Sequence, residues 1–135
     1  MKIAVITSTF YKDISARLLN GVTKALTEAG LTEWEVIDVP GTFEIPYMAA
    51  KVQEKYDGII VLGCVIKGET DHYEYVCQGV TYGVQKLSVE QKIPIGFGIL
   101  TCTTKDQALD RSGDNIDNKG YTTAKTVISL LSKND

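Results

Sequence analysis

The chain has 135 residues, of which 44% are hydrophobic and 23% charged, and this composition predicts one globular domain over residues 1–135. The net charge of −3 gives no basic footprint for nucleic acid, and no segment has the length and apolarity of a signal peptide or a membrane span. Cys64, Cys77 and Cys102 show no metal or redox spacing, so we expect a cytoplasmic protein with reduced thiols and no metal site.

Hydrophobic periodicity predicts four strands that alternate with helices. Continuous apolar runs indicate strands at residues 3–7, 34–39, 58–65 and 94–100. Apolar residues spaced by three and four indicate helices at residues 12–29, from 46 to about 54, from just after 70 to beyond 87, from 104 to about 111, and at 118–132.

Strands that are apolar on both faces and separated by helices are typical of a buried parallel sheet. We therefore expect an α/β three-layer sandwich of the flavodoxin-like type, a four-stranded parallel sheet covered by helices on both faces. Ligands of such sheets bind outside the carboxyl ends of the strands. Those ends lead into residues 7–11, 40–46, 65–72 and 100–104, where aromatic residues, a carboxylate and the only imidazole occur.

The loop after the third predicted strand contains His72, at the start of a predicted helix. Free backbone N–H groups at a helix start favour an anion, and an imidazole can transfer protons near neutral pH. The simpler alternative is a polar surface histidine beside a helix cap formed by Thr70 or Asp71, with Glu74 completing a capping box. A proton-transfer group next to an anion site indicates chemistry on a phosphorylated substrate.

Four segments, in order and over nearly the whole chain, resemble the lumazine synthase (6,7-dimethyl-8-ribityllumazine synthase) family. VPGTFEIP at residues 39–46 is similar to the family's VPGAFEIP, and LGCVIKGETDHYE at residues 62–74 is similar to its LGxVIxGxTxHxx. GILT at residues 98–101, and residues 107–120 from QALDRSG to NKG, match later family blocks.

This resemblance implies a transferase of riboflavin biosynthesis. The family condenses 5-amino-6-(D-ribitylamino)uracil with 3,4-dihydroxy-2-butanone 4-phosphate and releases phosphate and water, without a metal or an organic cofactor. It also implies a homopentamer with active sites between adjacent subunits, and it leaves a decamer and a 60-subunit capsid open. The chain begins almost directly at its first predicted strand, without the amino-terminal extension of many members, so the sequence does not decide between these assemblies.

The resemblance also implies a role for each matching residue. His72 would transfer protons during imine formation, phosphate loss and ring closure. Glu69 and Thr70 would bind the phosphate at the helix start, with Arg111 of a neighbouring subunit. The pyrimidine and its ribityl chain would contact Phe10, Thr42, Phe43, Glu44, Val65 and Ile66, and, from the neighbouring subunit, Phe97 and Lys119. Lys119 would also assist Arg111 nearby.

Simpler interpretations exist for some of these residues. Phe43 is expected to be a core residue, Phe97 is in a strand where aromatic residues are usually core, and Lys119 would ordinarily be a solvated cation. For Arg111, the simpler interpretation is a cation that stabilises a helix C-terminus through the helix dipole. In addition, Thr9-Phe10-Tyr11 stands where the family has Arg-Phe-Asn, which keeps the ring and changes both flanking residues.

Two other functions are compatible with parts of the pattern. An archaeal-type riboflavin synthase has a similar size and fold, and the end of the first strand resembles it. A non-catalytic lumazine or flavin carrier could keep Phe10 and the shape of the cavity, but it would not need both His72 and Arg111.

Overall fold

A computed structural model describes residues 1–133 and contains a four-stranded parallel sheet with helices on both faces. The strands are β1 Ile3–Ser8, β2 Trp34–Val39, β3 Gly58–Ile66 and β4 Ile95–Cys102. The α-helices are α1 Lys12–Glu28, α2 Ile45–Val52, α3 His72–Gln91, α4 Lys105–Arg111 and α5 Lys119–Leu131, and 3₁₀ turns cover Thr42–Glu44 and Gln53–Lys55. The predicted α/β three-layer architecture of flavodoxin-like type is confirmed.

Several element boundaries differ by one or two residues from those predicted. β4 begins at Ile95 rather than at Pro94, because proline has no N–H to donate to the ladder, although the Pro94 carbonyl accepts a hydrogen bond from the Ile59 N–H at 2.9 Å. The second helix begins one residue before Pro46, because a 3₁₀ turn leads directly into it. Gly30 follows α1 with a φ of 75°, a left-handed conformation that favours glycine.

The strand order is β2-β1-β3-β4, with every pairing parallel. The chain leaves β1 through α1 to reach β2 on one side, and it later returns to place β3 on the other side of β1. The connections after β1 and β3 therefore diverge at their carboxyl ends. This divergence is the topological switch point at which α/β sheets of this kind form their crevice.

The core has one apolar layer on each face of the sheet. On one face, Leu18 and Val22 of α1 and Val127 of α5 are fully buried. On the other face, Ala49 of α2 and Val80 of α3 are fully buried. The helical spacing of these residues turns one stripe of each helix toward the sheet, as the periodicity of the sequence predicts.

Close contact between α1 and α5 requires glycine at position 120. A Cβ atom at Gly120 would overlap the backbone carbonyl oxygen of Leu18, which has no freedom to move away. By contrast, a Cβ atom at Gly68 would have no heavy atom within 4 Å. The sequence at position 120 thus sets how closely α5 approaches α1.

We expect Gly120→Ala to destabilise the protein by about 1–3 kcal/mol, because the added methyl must push two helix backbones apart. Urea unfolding followed by circular dichroism measures this change. Gly68→Ala is the matched control and should leave the unfolding midpoint nearly unchanged. Equal midpoints for the two variants would contradict the close contact.

Candidate active site

A cavity of about 460 Å³ opens at the carboxyl ends of β1 and β3. Four parts of the chain form its walls: the loop after β1, the 3₁₀ turn at Thr42–Glu44, the end of β3 and the first turns of α3. The residues singled out from the sequence that line the cavity are Phe10, Thr42, Phe43, Glu44, Val65, Ile66, Thr70 and His72.

Phe10 provides an open aromatic face at the mouth of the cavity. Its side chain is 72% exposed, and its ring contacts the Tyr11 ring edge-on, with centroids 4.9 Å apart and planes at 84°. Tyr11 packs in turn against the core layer of α1 and also lines the cavity. The flat face of Phe10 is therefore free to stack on a planar heterocycle.

Thr42 also lines the cavity and is only 6% exposed. Its hydroxyl is buried and has no hydrogen-bond partner in the described part of the chain. A Cβ atom at Gly63 would lie 2.8 Å from this hydroxyl oxygen, so glycine at position 63 makes room for Thr42. A buried hydroxyl without a hydrogen-bond partner costs free energy in the folded protein.

Phe43 is 61% exposed, so the expectation that it is a core residue is wrong. A 3₁₀ turn advances about 120° per residue, which buries Thr42 and turns the next side chain outward. The Phe43 ring lies over Gly79 of α3, where a Cβ atom would be only 3.1 Å from it. Glu44 is also exposed, and its carboxylate folds back over Gly41.

The start of α3 places His72 at the cavity with an exposed side chain. The His72 backbone N–H donates to the Thr70 hydroxyl at 3.3 Å. Asp71 has a helical conformation and makes no side-chain cap hydrogen bond, so the capping box between Asp71 and Glu74 is wrong. One carboxylate oxygen of Glu74 instead lies 3.8 Å from the Lys67 ammonium, across the loop.

The remaining singled-out residues do not line this cavity. Glu69 is exposed on the loop before α3, Arg111 is exposed at the last residue of α4, and Lys119 is exposed at the first residue of α5. Phe97 is half-buried in β4 and lines a separate groove of about 770 Å³ between β4 and α3. One copy of the chain thus brings together only part of the predicted set.

The cavity also contains residues that were not singled out, chiefly Tyr11, Cys64, Tyr73 and Val76. Signals in the sequence could have identified two of them. Tyr11 belongs to the loop after the first strand. Val76 follows His72 by four residues, so Val76 and His72 lie on one face of the helix.

Burial raises the pKa of Tyr73, so its hydroxyl is protonated near neutral pH.

The thiols of Cys64 and Cys102 are not activated as nucleophiles. Burial raises the pKa of Cys64 to about 12, and burial also raises the pKa of Cys102 on the neighbouring strand. Both thiols are therefore protonated near neutral pH, whereas cysteine chemistry requires the thiolate. Within residues 1–133, no group of three or more His, Cys, Asp or Glu side chains is arranged to hold a metal ion.

The comparisons with known proteins agree on one family. The sequence profile described as 6,7-dimethyl-8-ribityllumazine synthase matches residues 1–135. A protein of that name from Coxiella burnetii (strain RSA 493 / Nine Mile phase I) is 42% identical over 134 residues, which cover 96% of this chain and 89% of the relative. A protein of the same name from Limosilactobacillus reuteri is 41% identical, over 98% of this chain and 89% of the relative. Another from Streptomyces coelicolor is 42% identical, over 96% of this chain and 82% of the relative.

No helix within residues 1–133 is long and apolar enough to cross a membrane.

We expect Thr42→Val to stabilise the ligand-free protein by about 1–3 kcal/mol, because valine has nearly the same shape and leaves no buried hydroxyl unpaired. The free energy of unfolding in urea measures the effect. Thr42→Ser is the matched control: it keeps a hydroxyl, loses a methyl and should be no more stable than the natural chain. A destabilised Thr42→Val variant would mean that the hydroxyl is hydrogen-bonded in the folded protein.

Proposed function

The chain belongs to the 6,7-dimethyl-8-ribityllumazine synthase family, and from that membership we propose that the cavity described above is one half of its active site. The enzyme is a transferase of riboflavin biosynthesis. It condenses 5-amino-6-(D-ribitylamino)uracil with 3,4-dihydroxy-2-butanone 4-phosphate to form 6,7-dimethyl-8-ribityllumazine, and it releases phosphate and water. The family assignment decides against the riboflavin synthase and carrier alternatives. A cytoplasmic location is part of the proposal, and the free state of Cys64, Cys77 and Cys102 supports it.

The charge of the cavity is the observation that carries the half-site proposal. Among the residues that line it within positions 1–133, there is no lysine or arginine, and there is one carboxylate, Glu44. A phosphate monoester carries nearly two negative charges at neutral pH, and proteins pair such groups with cationic donors. The singled-out cations Arg111 and Lys119 lie outside the cavity of their own chain. We infer that the cavity receives these cations from a neighbouring copy.

The cavity walls formed by the loops after β1 and β2 and by the end of β3 suit the pyrimidine and its ribityl chain. Phe10 would stack on the heterocycle, and the backbone groups of Val65 and Ile66 would contact its edge. Thr42 and Glu44 would bind the ribityl chain, with the Glu44 carboxylate as a charged acceptor for the ribityl hydroxyls. Phe43, beside them, would cover the ribityl chain with its exposed ring.

The start of α3 suits the phosphate and the proton transfers. Backbone N–H groups of Glu69 and Thr70, with the Thr70 hydroxyl, would hold the phosphate next to the positive end of the helix dipole. The Glu69 carboxylate is exposed and would point away from the anion. His72, at the same turn, would take and return protons as the imine forms, phosphate leaves and the ring closes.

Three residues would come from the adjacent subunit. Phe97 would cover the second face of the heterocycle, Arg111 would hold the phosphate with its planar fork, and Lys119 would add a second cation. The groove that contains Phe97 supports this arrangement, because its rim includes Tyr82 and Val89, which are 67% and 65% exposed. We propose a homopentamer in which this face is covered; a decamer and a 60-subunit capsid are both compatible with that unit.

We expect Arg111→Lys to raise the Michaelis constant for the butanone phosphate about ten- to a hundredfold, because lysine cannot reproduce a two-point contact worth about 1.5–3 kcal/mol. His72→Ala should instead lower kcat, by at most about 10²–10⁴-fold, with little change in either Michaelis constant. Steady-state rates of lumazine fluorescence, with each substrate varied in turn, separate the two effects. Lys51→Met, on α2 and outside the cavity, is the control; normal kinetics for both site variants would contradict the proposed roles.

Mixing two impaired variants tests the shared site itself. A chain with Arg111→Ala and a chain with His72→Ala, refolded together in equal amounts, should recover activity at about one quarter of the sites, because that fraction pairs an intact cavity with an intact neighbour. A mixture of Phe10→Ala and His72→Ala chains is the matched control, since both changes affect the same half. Recovery in the control alone, or in neither mixture, would contradict a site shared between copies.

A further inference from the structure

The position of the short helix that carries Arg111 depends on its contacts with the rest of the chain. α4 has seven residues, which is well below the length at which a helix is stable by itself in water. The Arg111 side chain is exposed, and its guanidinium donates one hydrogen bond, at 3.3 Å, to the Gln107 carbonyl of its own helix. The direction in which Arg111 points therefore depends on what holds the last turn of α4.

A second arginine, Arg17 of α1, contacts the last turn of α4. Its Nη2 donates to the Leu109 carbonyl at 3.1 Å, and its Nε donates to the Ser112 hydroxyl at 3.1 Å. Ser112 is only 2% exposed, and its hydroxyl donates to the Ala108 carbonyl at 2.7 Å. Arg17 thus bonds residues on both sides of Arg111 in the chain. It adds a second donor to the Leu109 carbonyl, which already accepts from the Ser112 N–H at 3.2 Å, and it places a positive charge at the negative end of the helix dipole.

The same helix α1 also contacts α4 at its start and the loop that follows it. The Lys105 ammonium lies 2.8 Å from the Asp13 carboxylate, and the buried Asn118 side chain donates to the Arg17 carbonyl at 3.1 Å. The ion pair is exposed, and exposed ion pairs contribute little. Fully buried Ala108 fixes the middle of α4 against the core, and the two hydrogen bonds from the Arg17 guanidinium fix the turn that ends in Arg111.

We propose that Arg17 is a positioning residue, which holds the last turn of α4 so that Arg111 presents its guanidinium to the substrate phosphate. The proposal rests on the function proposed above, in which Arg111 binds that phosphate. Arg17 does not line the cavity and would not touch the substrate itself. Its effect should therefore appear in phosphate-substrate binding and should depend on the presence of Arg111.

The test uses Arg17→Met, which removes both hydrogen bonds and keeps an unbranched apolar stem. A misdirected catalytic group commonly costs up to about a hundredfold, and we expect about a tenfold higher Michaelis constant for the butanone phosphate. The Michaelis constant for the pyrimidine and kcat should change less than about twofold. Arg17→Lys keeps the charge, can make one bond and should be intermediate. Lys24→Met removes a cation further along α1 that lies 5.6 Å from the Tyr121 ring, and it is the matched control.

A double-mutant cycle with Arg111→Ala separates positioning from general stability. If Arg17 acts through Arg111, Arg17→Met should change the Michaelis constant less than about twofold in the Arg111→Ala background. Independent, multiplying effects, or a lower melting temperature with equal losses for both substrates, would overturn the positioning role. If Arg111→Ala alone leaves phosphate-substrate binding intact, the phosphate site proposed above is wrong. If Arg111→Ala weakens that binding and Arg17→Met does not, only the role of Arg17 is wrong.

Discussion

Parallel pairing of β1 with β3 determines where chemistry can occur in this protein. The two strands are in register from Ile3 opposite Gly58 to Thr7 opposite Leu62, and both are almost completely buried. The chain segments that follow β1 and β3 leave toward opposite faces of the sheet, so a cleft opens between the ends of these strands. Neither strand can shift its register without exposing its core side chains. Phe10 and His72 owe their proximity to this pairing, since they follow strands that are far apart in the sequence and adjacent in the sheet.

In the proposed function, the charge of the cleft is the reason why it would need groups from a neighbouring copy. Its walls provide an aromatic face, hydroxyls, a carboxylate and an imidazole, and among the described lining residues there is no Lys or Arg to oppose a phosphate. The chain carries suitable cations at the end of α4 and the start of α5, on either side of residues 112–118. A ring of identical subunits can bring the α4 end of one copy to the cleft of the next, because head-to-tail interfaces join different surfaces of the same chain.

Much of the fold could be predicted from the sequence, because buried parallel strands and amphipathic helices leave strong patterns. The four strands, the glycine after α1 and the Thr104 cap, whose hydroxyl accepts from the Gln107 N–H at 3.3 Å, all follow from local chemistry. The exposure of Phe43 could not be predicted in the same way, since it depends on a single 3₁₀ turn whose rotation the periodicity does not show. The missing cap at Asp71 has a similar cause, because its backbone is already helical. The candidate site residues on different elements were expected from the family resemblance, as was the contribution of a second chain, because local periodicity in one chain carries no signal of either.

The central claim, that each site is completed by a neighbouring copy, is tested most directly by measuring activity and molecular mass together. Light scattering and lumazine formation would be followed across a dilution series and in urea too weak to change the circular dichroism spectrum. A site shared between copies predicts that turnover falls in parallel with the fraction of chains in the oligomer and that a folded monomer is inactive. A folded monomer with full turnover would contradict it.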